Sequence, residues 1–125
     1  MPRTPIQADG AAAVGPYSHA IDAHPFVYLS GQTPLDPATG RLVQGTIGDQ
    51  TRQSLANLAT VLTTAGLDES HAVKCTVYLT DMADFAAMNE AYSAFFTAPY
   101  PARTTVAVAA LPLGAQVEIE MIARR

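Results

Sequence analysis

Arg103 is the only side chain between Glu90 and Glu118 that carries a full charge at neutral pH. It sits in the stretch "APYPARTTVAVAALPLGAQVEIE" (98–120), which ends on two carboxylates, Glu118 and Glu120. A planar guanidinium can grip a carboxylate through two parallel hydrogen bonds. A glutamate nearby can take a proton from water. The competing reading is an Arg–Glu ion pair across a hairpin, worth little if exposed. Strand alternation puts Arg103, Thr105, Ala107 and Ala109 on one side, with Thr104, Val106 and Val108 on the other. Glu118 and Glu120 share a side, opposite Val117, Ile119 and Met121. If the two strands pair, the Arg and Glu faces coincide. Spacing alone leaves clamp and ion pair both open.

Other chemistries find no support in the spacing. His19, His24 and His71 lack the i, i+4 pairing of a helical zinc site, and Cys75 lacks a Cys or His partner in a recognised zinc-ligand pattern, so no metal is expected. Gly45 and Gly48 lead into Asp-Gln-Thr rather than Lys-Ser/Thr, which removes a phosphate-binding loop. Ser30 in "LSGQ" lies outside the Gly-x-Ser-x-Gly elbow of a serine nucleophile. Cys75 itself reads as a small apolar residue on a strand.

Strands and helices must position these groups. "PFVYLSGQ" (25–32) is rich in aromatic and β-branched residues and predicts a buried strand. Asp36-Pro37 through Gly40 predicts a turn between two extended segments. From Thr46 to Ala65, the residues Ile47, Thr51, Leu55, Leu58, Ala59, Leu62 and Ala65 recur at helical spacing. Thr46 or Asp49 suits the start of that helix, and Gly66 its left-handed end. "AVKCTVYLTD" (72–81) alternates as a half-buried strand, with Val73, Cys75, Val77 and Leu79 facing one way. "DMADFAAMNEAYSAFF" (81–96) returns to helical period, with Phe85, Met88, Tyr92 and Phe95 or Phe96 as its apolar stripe. Asp81 and Asp84 suit its first turn. "RTTVAVAAL" (103–111) and "AQVEIEMIA" (115–123), joined by "PLG", predict a terminal hairpin. The expected architecture is α+β: a single mixed sheet with both helices on one face, forming one domain over residues 1–125.

Composition bears on partners. The 125-residue chain is 49% hydrophobic and only 14% charged, against about 25% charged in a typical soluble protein. So little charge on a small chain suggests that part of the surface is covered by another copy. Net charge is −4, and only Arg124 and Arg125 adjoin. Nucleic-acid binding is therefore not expected. No run has signal-peptide or membrane-spanning character, and the single cysteine excludes an intramolecular disulfide, so a cytoplasmic location is expected.

Six stretches, in order along nearly the whole chain, resemble the RidA (YjgF-type) family of enamine/imine deaminases. They are "GPYSHAI" (15–21), "YLSGQTPLDPATGRLV" (28–43), "QTRQSLANLATVLTTAGL" (50–67), "VKCTVYLTDMADFAAMNEAYSAFF" (73–96), "PARTTVAVAALP" (101–112) and "VEIEMIA" (117–123). The resemblance implies a chorismate-mutase-like α+β fold. It implies a homotrimer with sheets lining the centre, helices outside, and sites in clefts between subunits. It also implies cofactor-free hydrolysis of 2-imino acids, such as 2-iminopropanoate and 2-iminobutanoate, to a 2-keto acid and ammonia.

Carried over by position, Arg103 matches the arginine that binds the substrate carboxylate, and Glu118 the acid that positions the hydrolytic water. Tyr17, Ser30 and Asn89 match residues lining the family cleft, and Gly31 and the backbone around Thr105 border it. Each keeps a structural alternative: strand-edge packing for Tyr17, a backbone-bonding hydroxyl for Ser30, a buried amide for Asn89. The family's archetypes often read "PARSC" where this chain reads "PARTT", so Thr105 removes any thiol at that position. Two other functions are compatible with the same residues: a pathway-specific deaminase of an aminoacrylate- or aminomuconate-type intermediate, and a non-catalytic trimeric sensor of small acids.

Overall fold

The computed structural model describes residues 2–9 and 15–125. In chain order the elements are β1 (Thr4–Ile6), β2 (Ala20–Ala23), β3 (Phe26–Gln32), β4 (Leu35–Asp36), β5 (Arg41–Leu42), α1 (Ile47–Thr64), β6 (Ala72–Leu79), α2 (Phe85–Phe95), β7 (Ala102–Ala107) and β8 (Val117–Arg124). Six strands form one sheet in the order β1-β2-β3-β8-β6-β7, and β4 pairs with β5 in a separate short hairpin. The β6–β7 pair is parallel and the other pairs of the large sheet are antiparallel, so the sheet is mixed. Both helices cover one face of it, as expected.

α1 forms where the apolar spacing placed it. Thr46 and Asp49 act together at its start: the Asp49 amide donates to Thr46 Oγ1 at 3.2 Å and the Thr46 amide to Asp49 Oδ2 at 3.0 Å. This reciprocal arrangement satisfies two amides that have no partner within the helix. Gly66, at φ 77°, supplies the left-handed exit. Leu55, Leu58, Val61 and Leu62 are buried against β8 and β3. The 81–96 segment starts one turn later than its periodicity suggested. Asp81 caps a 3-10 turn (Met82–Asp84), accepting from the Ala83 amide at 2.9 Å, and α2 follows. Asp84 makes no side-chain capping bond.

Two expectations fail. The closing strands do not form a hairpin: β8 inserts between β3 and β6, and β7 lies on the far side of β6. Burial explains the choice. Val117, Ile119, Met121 and Ala123 are all but inaccessible, so β8 takes a central position where its whole apolar face meets the helices. The shorter and more polar β7 suits an edge, and α2 is the crossover its parallel pairing with β6 requires. Second, Val73 does not share the buried face of β6. The register slips between Ala72 and Lys74 against β8, and Val73 is left exposed at that irregularity. β1 and β2 were not anticipated at all. They are short, with Pro5 inside one and Asp22 in the other, and carry little alternation.

Candidate functional site

The register fixes which side chains share a face. Arg103 stands opposite Cys75, and Cys75 opposite Met121. Cys75 and Met121 are buried beneath the helices, so Arg103 and, two residues on, Thr105 point to the helix-covered side. Glu118 stands opposite Tyr78, and Glu120 opposite Thr76, on the other side. Within one chain the arginine and the glutamates therefore face away from each other. The hairpin ion pair is excluded, and so is a shared Arg–Glu face in a single subunit.

Arg103 lies at the wall of a cleft of about 650 Å³ lined by Ala86, Asn89, Tyr92, Ser93, Tyr100 and Pro101, among others. The parallel β6–β7 pair sets the arginine beneath α2. Its Cζ lies 4.8 Å from the Tyr92 ring centroid and 5.6 Å from that of Phe85. Nη1 donates to Met88 Sδ at 4.0 Å. Among the described residues, no carboxylate pairs with it. Around it, Asn89 Oδ1 and Thr105 Oγ1 are buried without a hydrogen-bond partner among the described residues. Buried polar atoms are nearly always satisfied in native structures, so two in one neighbourhood point to a ligand or water.

A second, smaller cleft of about 260 Å³ opens on the other side, lined by Tyr17, Ser30, Gly31, Thr33, Pro112 and Glu118. β3 slips by one residue against β8 between Leu29 and Gln32, which makes Ser30 and Gly31 a bulge beside Glu118. A Cβ on Gly31 would overlap the Glu118 carboxylate and come within 2.9 Å of its Cδ. Only glycine lets that side chain lie across the strand. Ser30 Oγ donates to the Ser18 carbonyl at 2.7 Å. Burial, and secondarily the charge of Glu120, raises the proton affinity of Glu118 above the ordinary carboxylate range. Glu120 accepts a hydrogen bond from Tyr78 OH at 2.7 Å.

The seven residues singled out from the sequence thus fall into two groups. Arg103 and Thr105 of β7 lie beneath α2, which carries Asn89, whereas Tyr17, Ser30, Gly31 and Glu118 cluster at the β3 bulge. Sequence reasoning did not assign Tyr92, Phe85 or Met88 to the arginine, although their i, i+3, i+7 spacing on one helix face was visible. They read as core. The Cys75 thiol is buried, and burial raises its pKa above the ordinary range. Among the described residues, no cluster of His, Cys, Asp and Glu could hold a metal ion, and no helix is long and apolar enough to cross a membrane.

The sequence and the fold both match proteins of known family. The family model described as endoribonuclease L-PSP matches residues 8–125. The chain is 52% identical over 112 residues to Reactive Intermediate Deaminase A, chloroplastic, of Arabidopsis thaliana, covering 90% of this chain and 60% of that protein. It is 48% identical over 112 residues to the 2-iminobutanoate/2-iminopropanoate deaminase of Mus musculus, covering 90% and 83%. The crystal structure of E. coli TdcF with bound serine superposes with a TM-score of 0.93 at 41% identity, covering 98% of each chain. The α+β fold and the match over nearly the whole length define a deaminase-type domain rather than a chance likeness. The chain belongs to the RidA family, the one whose model bears the endoribonuclease L-PSP description.

Proposed function

We propose that this protein hydrolyses reactive 2-imino acids, such as 2-iminopropanoate and 2-iminobutanoate, to the 2-keto acid and ammonia. We further propose that it acts as a homotrimer in which the Arg103 cleft of one subunit meets the Glu118 cleft of the next. The observation that carries the reading is a cation held by aromatic faces, without an acidic partner among the described residues, beside polar atoms awaiting a ligand. Such an arginine is preset for a small carboxylate. The serine in the E. coli relative's structure is a ligand of that kind.

The chemistry then asks little of the protein. Arg103 clamps the carboxylate and places the electrophilic C2 carbon against a water. On the iminium form of the substrate, Glu118 takes a proton from that water as its oxygen bonds to C2 and the C=N pair moves to nitrogen, giving a neutral carbinolamine. The same carboxyl returns the proton to nitrogen. The carbinolamine hydroxyl then gives its own proton to the carboxylate as the C–N bond breaks. Ammonia leaves, the 2-keto acid stays behind, and that last proton passes to solvent. One water is consumed and no electrons change hands. Tyr17, Ser30 and Asn89 complete the walls, with Gly31 and Thr105 at their border. The net charge of −4 and lack of a basic patch favour a small-molecule substrate over RNA. A single, unpaired cysteine suits the cytoplasm.

The test couples the protein to threonine dehydratase and follows imine loss by semicarbazide trapping. Wild type accelerates the loss, and Arg103→Ala reduces kcat/KM by about 100-fold, as expected for two charge-assisted hydrogen bonds. Arg103→Lys is nearly as poor, because an ammonium cannot form the two-pronged contact. Wild type without acceleration refutes imine hydrolysis, and an Arg103→Ala variant as fast as an active wild type refutes the clamp assigned to Arg103. Retained binding of 2-ketobutyrate without turnover would favour the sensor reading instead.

A further inference from the structure

We propose that Tyr92, assisted by Phe85, is the positioning residue for Arg103: its ring face holds the guanidinium at the cleft wall and so sets affinity for the substrate carboxylate. This inference rests on the imine-deaminase reading and adds to it a residue outside the two groups described above.

An arginine that must bind an anion has to be held by something other than an anion. A carboxylate partner would neutralise it and occupy its N–H donors, which lie in the guanidinium plane. An aromatic face attracts the cation through its quadrupole and requires none of those donors. The surroundings of Arg103 are of that second kind. Its guanidinium carbon lies 4.8 Å from the Tyr92 centroid and 5.6 Å from the Phe85 centroid, both inside the range of cation–π attraction. Met88 Sδ, a soft and weak acceptor, takes the one hydrogen bond identified for Nη1.

The Tyr92 ring is itself held. It is 4% exposed and packs against Phe96 with centroids 4.8 Å apart. Phe96 in turn meets Phe95 edge-on at 4.9 Å. The Tyr92 hydroxyl lies towards the Cys75 thiol, but no contact of hydrogen-bond geometry joins them, and the oxygen is buried without a partner among the described residues. Burial also keeps that hydroxyl protonated, its pKa displaced well upward. A neutral, unpartnered hydroxyl contributes little to holding a cation, so the ring face is the working part. Met88 and Tyr92 hang from one face of α2 over β7, so the helix carries the arginine's seat. Substrate affinity then depends on how α2 is docked.

The experiment compares wild type, Tyr92→Phe and Tyr92→Leu in the dehydratase-coupled assay, with 2-ketobutyrate binding measured by calorimetry and folding followed by thermal melting. Tyr92→Phe keeps the face and is expected within about twofold of wild type in KM and Kd. Tyr92→Leu keeps an apolar side chain but loses the face, and raises KM and Kd together by about tenfold. Its kcat changes far less, because a clamp that grips ground state and transition state alike acts on KM. A Tyr92→Leu protein with wild-type KM and Kd overturns the proposal, as does a Tyr92→Phe protein as impaired as Tyr92→Leu. Should Tyr92→Leu lose its melting transition, Phe85→Leu replaces it. An increase of about threefold in KM and Kd then supports the proposal, and unchanged values overturn it. Wild type that binds 2-ketobutyrate but does not turn over imine would refute the deaminase reading alone, since the binding series still decides the part assigned to Tyr92.

Discussion

Glu118 is half-buried, next to a second carboxylate, and its burial is the larger reason for its raised proton affinity. For a base that must take a proton from water near neutral pH, a higher affinity is an advantage. It also sets an acid limit, because the protonated form cannot accept. The acid limb of kcat/KM should therefore fall above pH 4.5, the ordinary value, and Glu118→Gln should abolish that limb while lowering kcat by about 100-fold or more. Stability moves the other way. With a folded-state pKa above the unfolded one, the folded state holds more protons in the window between them, so stability falls as pH rises through it. Glu118→Gln should then melt higher than wild type at pH 7, and the difference should vanish in acid below the ordinary carboxylate value. A variant with an unchanged acid limb, or one that melts lower at pH 7, would contradict the role given to Glu118.

Helices and strand interiors were readable from residue spacing, whereas strand neighbours were not. The periodicity of Ile47, Leu55, Leu58 and Leu62 specifies α1 because one buried stripe is a local requirement, met within the element. The place of β7 is not local. Its sequence alternates as well in a hairpin with β8 as in parallel with β6, and only competition for the central position, which the fully apolar face of β8 wins, separates the two. That competition also decides whether Arg103 and Glu118 share a face, so the division of the site was invisible from the sequence although both residues had been marked. The β3 bulge belongs at the same scale. Ser30 and Gly31 looked like ordinary strand residues, but the slip against β8 makes Gly31 the floor on which Glu118 rests. Gly31→Ala therefore should leave the fold intact, with little change in melting temperature, because the crowded atoms belong to a side chain that can swing aside. Moving that carboxylate should still lower kcat by about tenfold or more. Kinetics and thermal melting of the one variant check both halves, and loss of folding or full activity would each count against this account of the bulge.

For the whole molecule, the open face of the sheet is the decisive surface. Tyr28 is 48% exposed there and Phe26 36%, with Val106 on the same side of β7. A chain with 14% charged residues has little polar surface to spare for leaving aromatics in water, which fits burial of this face in an assembly. The arginine and glutamate clefts lie on opposite faces of one sheet, so the proposed joint action of Arg103 and Glu118 requires a second chain. Light scattering should give a particle of three times the 13.2 kDa chain mass. The sharper test mixes two inactive variants. Arg103→Ala subunits keep Glu118, and Glu118→Gln subunits keep Arg103. Unfolding and refolding them together at equal concentration makes a site complete wherever a Glu118→Gln subunit offers its arginine to the glutamate of an Arg103→Ala neighbour. One half multiplied by one half gives roughly one quarter of sites intact, and so about a quarter of the activity of wild type refolded in parallel. A site contained in one subunit predicts no recovery at all, because every chain in the mixture lacks one of the two residues. Activity that stays at the level of the separate variants, in mixtures whose mass shows co-assembly, would place both residues' work within a single chain and remove the proposed inter-subunit site.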